Sequence, residues 1–145
     1  MGARHSGREA ALQMLFQLEA SGVSAEQAIT LFWRTYEDAD PEGKSYADAC
    51  VHGVADHLEA IDKRVTTASQ NWRLERMSRV DRNLLRLGTY ELLFRSDVPR
   101  AVILDEAVEL AKSFGTDESS GFVNGVLDRI ATDIGRKDAD RSGGA

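Results

Sequence analysis

The sequence is short of the residues that build disulfide frameworks, β-sheets and membrane spans. Its 145 residues include one cysteine, two prolines and 7% aromatic residues. A single cysteine excludes an internal disulfide and any zinc site built from several cysteines. The longest apolar runs have about four residues, whereas a helix needs roughly 20 to cross a bilayer. These absences predict an all-α protein that is soluble and cytoplasmic, with no membrane partner.

Basic residues are also fewer than acidic ones. The chain has 18 Lys and Arg against 24 Asp and Glu, which gives a formal net charge of −6. Because indiscriminate nucleic-acid binding depends on neutralising phosphates, an acidic chain is a poor candidate for it. Any role with RNA or DNA must therefore come from a local basic group. The apolar fraction of 42% is high enough for a core and excludes global disorder.

Apolar residues at helical spacing predict six helices in two groups of three. The first three span residues 8–20, 24–36 and 45–65. A region without a clear period, residues 66–76, links them to a helix that opens at Ser78 and to helices over residues 100–114 and 117–134. The predicted domains are residues 1–66, with a basic N-terminal arm, and residues 67–134. Residues 135–145 are polar and glycine-rich and are predicted to be a disordered tail.

Local signals define several of these helix ends. Gly22 suits a C-terminal cap, and Ser24 with Gln27 has the form of a capping box. Ser78 opens a helix, and Pro99 interrupts the chain because it also disfavours the helical conformation of the residue before it.

Three glycines lie in the middle of predicted helices, at positions 53, 88 and 125. A glycine there costs about 1 kcal/mol relative to alanine. Its usual compensation is that the missing side chain lets a second helix approach closely. We therefore expect Gly53, Gly88 and Gly125 at helix contacts.

The chemistry of catalytic and metal sites is missing from the sequence. His52 and His57 are five residues apart and point about 140° away from each other on a helix, so they do not form a zinc-binding pair. Cys50 lies on an apolar stripe and is expected in the core. There is no phosphate-binding glycine loop and no Gly-x-Ser-x-Gly motif. We therefore expect no enzyme, no catalytic residue, no metal and no cofactor.

Arginines form the two basic groups of the chain. Between residues 73 and 100 there are seven arginines against four acids. They form either a solvated face that pairs with acids of neighbouring helices or a surface for an acidic partner. At the N-terminus, Arg4, His5 and Arg8 form a smaller group, in which flexible arginines could meet RNA phosphates through paired hydrogen bonds and order on binding. Spacing alone favours a core position for Phe122 over a base-stacking one.

Three segments of the sequence resemble a known family. The segment RSDVPRAVILDEAVELAKSFGTDESSGFVNGVLDRI covers residues 95–130, VDRNLLRLGTYELLFR covers residues 80–95, and REAALQMLFQLE covers residues 8–19. In order and spacing, they resemble the NusB family of bacterial transcription antitermination factors. The similarity extends over residues 4–130 and is weak in the second and third helices.

The resemblance implies an all-α fold of two three-helix bundles and a role without catalysis. NusB-like proteins pair with NusE, a ribosomal small-subunit protein, and bind the boxA element of ribosomal RNA transcripts in the RNA polymerase antitermination complex. By resemblance, the RNA-binding residues are Arg4, His5, Arg8, Glu118 and Phe122. The expected NusE-binding residues are Phe16, Glu75 and Asp81.

Two questions stay open at this level. His5 and Ser6 stand where the family commonly has arginines, and this thinner basic group leaves a second function: a protein–protein adaptor with negligible RNA affinity of its own. The free protein is either a monomer or a homodimer, since neither state has a clear motif in the sequence. A dimer would cover the basic face until NusE arrives.

Overall fold

The computed structural model describes residues 2–36, 38–70 and 72–137, and within them it contains only helices. The seven α-helices are α1 (Ala3–Ser21), α2 (Ala25–Thr35), α3 (Pro41–Asp56), α4 (Leu58–Ser69), α5 (Arg79–Phe94), α6 (Arg100–Phe114) and α7 (Ser119–Asp133). A short 3₁₀ helix, Leu74–Arg76, lies between α4 and α5. The predicted all-α class is confirmed. No helix in the described ranges is both long and apolar enough to span a membrane.

The chain divides into two compact units, one ending at His57 and the other beginning at Leu58. In the first unit, α1 packs along α3, and α2 contacts both of them. Two glycines bring α1 and α3 together: a Cβ atom at Gly7 would lie 2.6 Å from the carbonyl oxygen of Gly43, and one at Gly43 would lie 2.7 Å from that of Ala3. The core of this unit contains Ala11, Leu12, Met14, Leu15, Ala47, Cys50, Val51 and Val54. The expected core position of Cys50 is confirmed.

In the second unit, α5, α6 and α7 pack against one another, and α4 packs against α5 and α7. Gly88 lies where α5 meets α7, because a Cβ atom there would lie 2.6 Å from Cδ1 of Leu127. The expected helix contact at Gly88 is therefore confirmed. A Cβ atom at Gly125 would have no other atom within 4 Å, so the expected helix contact there is wrong. The core of this unit includes Ile61, Val65, Leu84, Leu85, Ile103, Leu110, Val123, Leu127 and Ile130.

The helix ends follow the predicted local signals. Gly22 ends α1 with a φ of 70°, and the hydroxyl of Ser24 accepts from the Gln27 backbone N–H while the Gln27 side chain accepts from the Ser24 backbone N–H. The Ser78 hydroxyl accepts from the backbone N–H of Asp81 at the start of α5. Pro99 has an extended conformation and lies outside the helices, and α6 begins with the next residue.

The prediction of one helix over residues 45–65 is wrong, because the helix is interrupted at His57. His57 has φ −122° and ψ 25°, which departs from helical geometry and separates α3 from α4. Leu58, the first residue of α4, is 39% exposed. The structure therefore divides the chain earlier than the predicted boundary at residue 66 and gives the second unit four α-helices.

The two ends of the chain also differ from expectation. The expected flexible N-terminal arm is helical, since α1 begins at Ala3. Of the predicted tail, residues 138–145 lie outside the described residues. The side chain of Arg136 donates to the carbonyl oxygens of Leu92, Arg95 and Val98. The chain is thereby attached to the end of α5 as far as Arg136.

Candidate nucleic-acid interface

The predicted N-terminal basic group lies on the first turns of α1. The Cζ atoms of Arg4 and Arg8 lie 4.8 and 5.2 Å from the ring centroid of Tyr46 on α3. Such distances are typical of cation–π contacts. Arg8 is only 3% exposed, whereas Arg4 and His5 are half-buried. Arg4 and His5 thus lie at the surface, and Arg8 lies inside the unit against the tyrosine.

The N-terminus of α1 favours anions through its backbone as well as through the charge of Arg4. The first turn contains no acidic residue, and Gly2 at the cap position has no side chain to satisfy the backbone N–H groups. Unsatisfied N–H groups and the helix dipole make such an end attractive to phosphate. The charge of Arg4 adds to this potential, so the end of the helix is suited to an anionic ligand.

Glu118 and Phe122 are brought together at the start of α7. The backbone N–H of Phe122 donates to the carbonyl of Glu118 at 3.1 Å. The preceding turn is held by Ser119, whose hydroxyl accepts from the backbone N–H of Thr116 at 2.9 Å. Glu118 is exposed and Phe122 is half-buried, so part of the ring remains accessible.

A groove lies beside Phe122, and the sequence analysis missed the side chains that line it. Its walls include Gln70 at the end of α4 and Arg129 on α7. Arg129 lies seven residues after Phe122, which places the two about 20° apart around the helix. That spacing was the available signal, since the two side chains share one face of α7.

The expected partner-binding residues are found in both units. Phe16, on α1 of the first unit, is 38% exposed. In the second unit, Glu75 forms an ion pair with Arg73 at 3.4 Å, and both side chains are 70% exposed. Asp81 lies in the first turn of α5, and its Oδ1 atom is buried without a hydrogen-bond partner among the described residues.

The central arginines are largely engaged within the second unit. Arg86 pairs with Asp62 through two hydrogen bonds, of 2.8 and 3.0 Å. Arg82 donates to two backbone carbonyls before α5. Further ion pairs of this group join Arg73 to Glu75, Arg95 to Asp97 and Arg100 to Asp128. Of the two interpretations of this group, pairing with acids of neighbouring helices therefore applies to Arg86 and Arg100, whose partners lie on α4 and α7.

Comparison with known proteins identifies the family. The model of the NusB family matches residues 5–132. This chain belongs to the NusB family. The transcription antitermination protein NusB of Sorangium cellulosum (strain So ce56) is 64% identical over 141 residues, which cover 97% of this chain and 100% of the relative. The family is thus one of transcription antitermination proteins, and the resemblance noted in the sequence is confirmed.

Solved structures of family members agree with the helical architecture. T. maritima NusB is 41% identical and superimposes with a TM-score of 0.82, covering 91% of this chain and 92% of that one. A chain in a crystal structure of antitermination factors NusB and NusE in complex with dsRNA is 26% identical, with a TM-score of 0.84. That match covers 92% of this chain and 98% of the other. The fold is therefore that of the NusB proteins.

Proposed function

We propose that this chain is a transcription antitermination factor that binds the boxA element of ribosomal RNA transcripts as a heterodimer with NusE. The observation that carries the proposal is the family match over residues 5–132. A chain with the same fold comes from a crystal structure of NusB and NusE in complex with double-stranded RNA, which supports NusE and RNA as classes of partner. The role is one of binding rather than catalysis, within the RNA polymerase antitermination complex and so in the cytoplasm.

On the RNA side, Arg4 and His5 would meet phosphates at the N-terminus of α1. Arg8 has a different role in this proposal because it is buried against Tyr46. It holds the ring on which Arg4 also lies, and thereby positions the Arg4 guanidinium. Phe122 offers part of its ring to a base, and base–aromatic stacking is a common source of affinity for single strands.

On the protein side, Glu75 and Asp81 would meet a basic surface of NusE. Both residues belong to the second unit and flank the start of α5. Asp81 has a carboxylate oxygen without a hydrogen-bond partner among the described residues. That oxygen is enclosed by the chain, but Asp81 as a whole is half-buried and so partly accessible to a basic partner. Phe16 would add an apolar contact from the first unit.

One observation favours the adaptor as a second candidate function. The burial of Arg8 reduces the surface arginines of the N-terminal group to Arg4. If phosphate contacts are this few, RNA affinity would come mainly from NusE, and the chain would act as a protein–protein adaptor. A homodimer of the free protein remains part of this proposal, with its basic face covered before NusE binds.

The first test is RNA binding by an Arg4→Ala variant. Labelled boxA RNA and a scrambled control are titrated with and without NusE over a salt series. For RNA binding by this chain, we expect weaker boxA binding and a salt slope reduced by roughly 0.7 log units for one lost phosphate contact. Arg34→Ala, an exposed arginine on α2, is the matched control. Binding that requires NusE and does not change in Arg4→Ala would favour the adaptor.

The second test is charge reversal at Glu75, which is exposed and can be changed without disturbing the core. Glu75→Lys is expected to weaken NusE pairing on gel filtration, while Glu59→Lys, an exposed acid on α4, leaves pairing intact. Asp81→Lys is expected to impair pairing more strongly. Normal complex formation by both Glu75→Lys and Asp81→Lys would show that the surface around the start of α5 does not bind NusE.

A further inference from the structure

A pocket in the first unit has no part in the proposed function. It lies between the start of α1, the end of α2 and the start of α3, and its volume is about 550 Å³. Pockets that hold small ligands have volumes of roughly 300–1,000 Å³. The walls of this pocket are of two kinds, since aromatic rings and charged side chains both line it.

We propose that this pocket binds the guanidinium or ammonium group of an arginine or lysine side chain from a basic segment of a protein partner. The ligand is therefore an organic cation carried on an apolar stem. The inference goes beyond the proposed function, because none of the RNA-binding or NusE-binding residues given above lines this pocket.

Three residues at the end of α2 form the aromatic wall. The ring of Phe32 meets that of Trp33 edge to face, with centroids 4.8 Å apart, and its centroid lies 4.6 Å from that of Tyr36. The indole N–H of Trp33 donates to Asp48 at 2.7 Å, which fixes the orientation of the indole. Tyr36 is 53% exposed, so the wall is open to an incoming side chain. Because the face of an aromatic ring attracts cations, this wall suits a guanidinium or ammonium group.

The pocket already contains a cation against this wall. Nζ of Lys44, near the start of α3, lies 5.6 Å from the centroid of the Trp33 ring. Lys44 is exposed and its four-carbon stem is flexible, so a cation that fits the pocket better can displace its ammonium group. The contact within the chain thus indicates which kind of group the wall attracts.

The charges of the pocket select a positive ligand. Among the described residues that line it, three carry carboxylates, Glu9, Asp38 and Asp40, and Lys44 carries the one permanent positive charge. Asp40 also caps α3, where its carboxylate accepts from the backbone N–H of Glu42 at 2.8 Å. The C-terminal end of α2 lies at the pocket, and that end of a helix favours a positive charge. A basic side chain would therefore be attracted, whereas the same carboxylates would repel RNA phosphates.

The fluorescence of Trp33 can report binding in its own pocket. The chain has two tryptophans, and the other one, Trp72, is exposed in the second unit. In a Trp72→Phe background, Trp33 emission is followed while an arginine-rich peptide is added. A peptide with citrulline at each arginine position keeps the side-chain shape and removes the charge. We expect a saturable change with the arginine peptide and binding about tenfold weaker with the citrulline peptide.

Two results of this titration would overturn the proposal. One is the absence of a saturable change in Trp33 emission up to about 1 mM arginine peptide. The other is equal binding of the arginine and citrulline peptides, which would assign the pocket to an uncharged ligand.

Two variants in the same background test the aromatic wall and the cation that lies against it. Tyr36→Ala removes an exposed ring and should weaken binding of the arginine peptide about fivefold. Leu31→Ala is the matched control, because it removes an exposed apolar side chain of α2 that does not line this pocket. Lys44→Met keeps the apolar stem but removes the competing ammonium group, so binding should become about threefold tighter. Unchanged affinity in both Tyr36→Ala and Lys44→Met would overturn the site.

A third variant tests the carboxylates. Asp38→Asn combined with Glu9→Gln should weaken binding of the arginine peptide about threefold, and Asp56→Asn, an exposed acid of the same unit outside the pocket, is the control. Equal losses in the two would mean that the carboxylates of the pocket do not contact the ligand, which contradicts the proposal. Spermidine that binds as tightly as the arginine peptide would assign the pocket to a free polyamine and overturn the protein partner.

Discussion

The two units bring their helices together by different means. In the first unit, α1 and α3 approach until backbone meets backbone, at Gly7 and Gly43. In the second unit, Gly88 of α5 faces the end of a leucine side chain on α7. A backbone contact cannot adjust unless a whole helix moves, while a leucine can change rotamer. The same residue type therefore sets a rigid distance in one unit and an adaptable one in the other.

The units also use arginine differently. In the first, Arg8 is buried against the face of Tyr46 and contributes a cation–π contact. In the second, guanidinium groups form hydrogen bonds: Arg86 pairs with Asp62, and Arg136 donates to carbonyls at the end of α5. The second arrangement uses N–H donors of the guanidinium groups in hydrogen bonds within the unit. The arginines that can contact RNA are therefore expected at the ends of helices rather than along α5.

The largest expected effect is at the backbone contact of the first unit. Gly7→Ala would place a Cβ atom 2.6 Å from the Gly43 oxygen and 3.3 Å from Cβ of Tyr46, so α1 and α3 must separate. We expect a loss of about 3 kcal/mol in the free energy of unfolding, measured by urea denaturation. Gly121→Ala, where the space is open, is the control. A loss below about 1 kcal/mol would show that the contact is not rigid.

The next effect tests the hydrogen-bonded arginines of the second unit. Arg86→Met retains the apolar stem but leaves the largely buried carboxylate of Asp62 without its two hydrogen bonds. We expect a loss of about 2 kcal/mol in the same assay. Arg73→Met removes an ion pair whose side chains are 70% exposed and should change stability by less than about 0.5 kcal/mol. Equal losses in the two variants would contradict the distinction.

The sequence predicted correctly those features that depend on residues close together in the chain. The Ser24 capping box, the Gly22 cap and the Pro99 break were predicted because each involves groups within a few positions of one another. The break at His57 was missed because the apolar period continues through Leu58 into α4. Periodicity reports which face is apolar, not which core the face joins.

The candidate site was predicted less completely than the fold. The resemblance supplied Arg4 and Phe122, but the burial of Arg8 depends on Tyr46, which lies on another helix. The contact between Gln70 and Arg129 likewise joins two helices that are far apart in sequence. Gly88 and Gly125 look alike in sequence, and only tertiary packing distinguishes the filled position from the open one.

A smaller effect is expected at the adaptable contact of the second unit. In Gly88→Ala the new methyl group would overlap the Leu127 side chain, but the higher helix propensity of alanine offsets part of the strain. We expect a net loss of about 1.5 kcal/mol in the free energy of unfolding. Combining it with Leu127→Val should recover part of the loss, since the shorter side chain vacates the overlap. If the two losses simply add, the strain arises elsewhere.

The smallest effects compare one kind of helix cap in the two units. Ser24→Ala and Ser78→Ala each remove a hydroxyl that accepts a backbone N–H at 3.1 Å, and each should lower the free energy of unfolding by about 1 kcal/mol. The cap at Ser24 also has the return bond from its backbone N–H to Gln27, at 3.0 Å. That bond does not need the serine hydroxyl, so it should survive in Ser24→Ala and make the loss there the smaller of the two. Removing it as well, in Ser24→Ala with Gln27→Ala, should bring the loss at α2 to at least that at α5. A larger loss from Ser24→Ala alone would mean that the two halves of the capping box depend on each other.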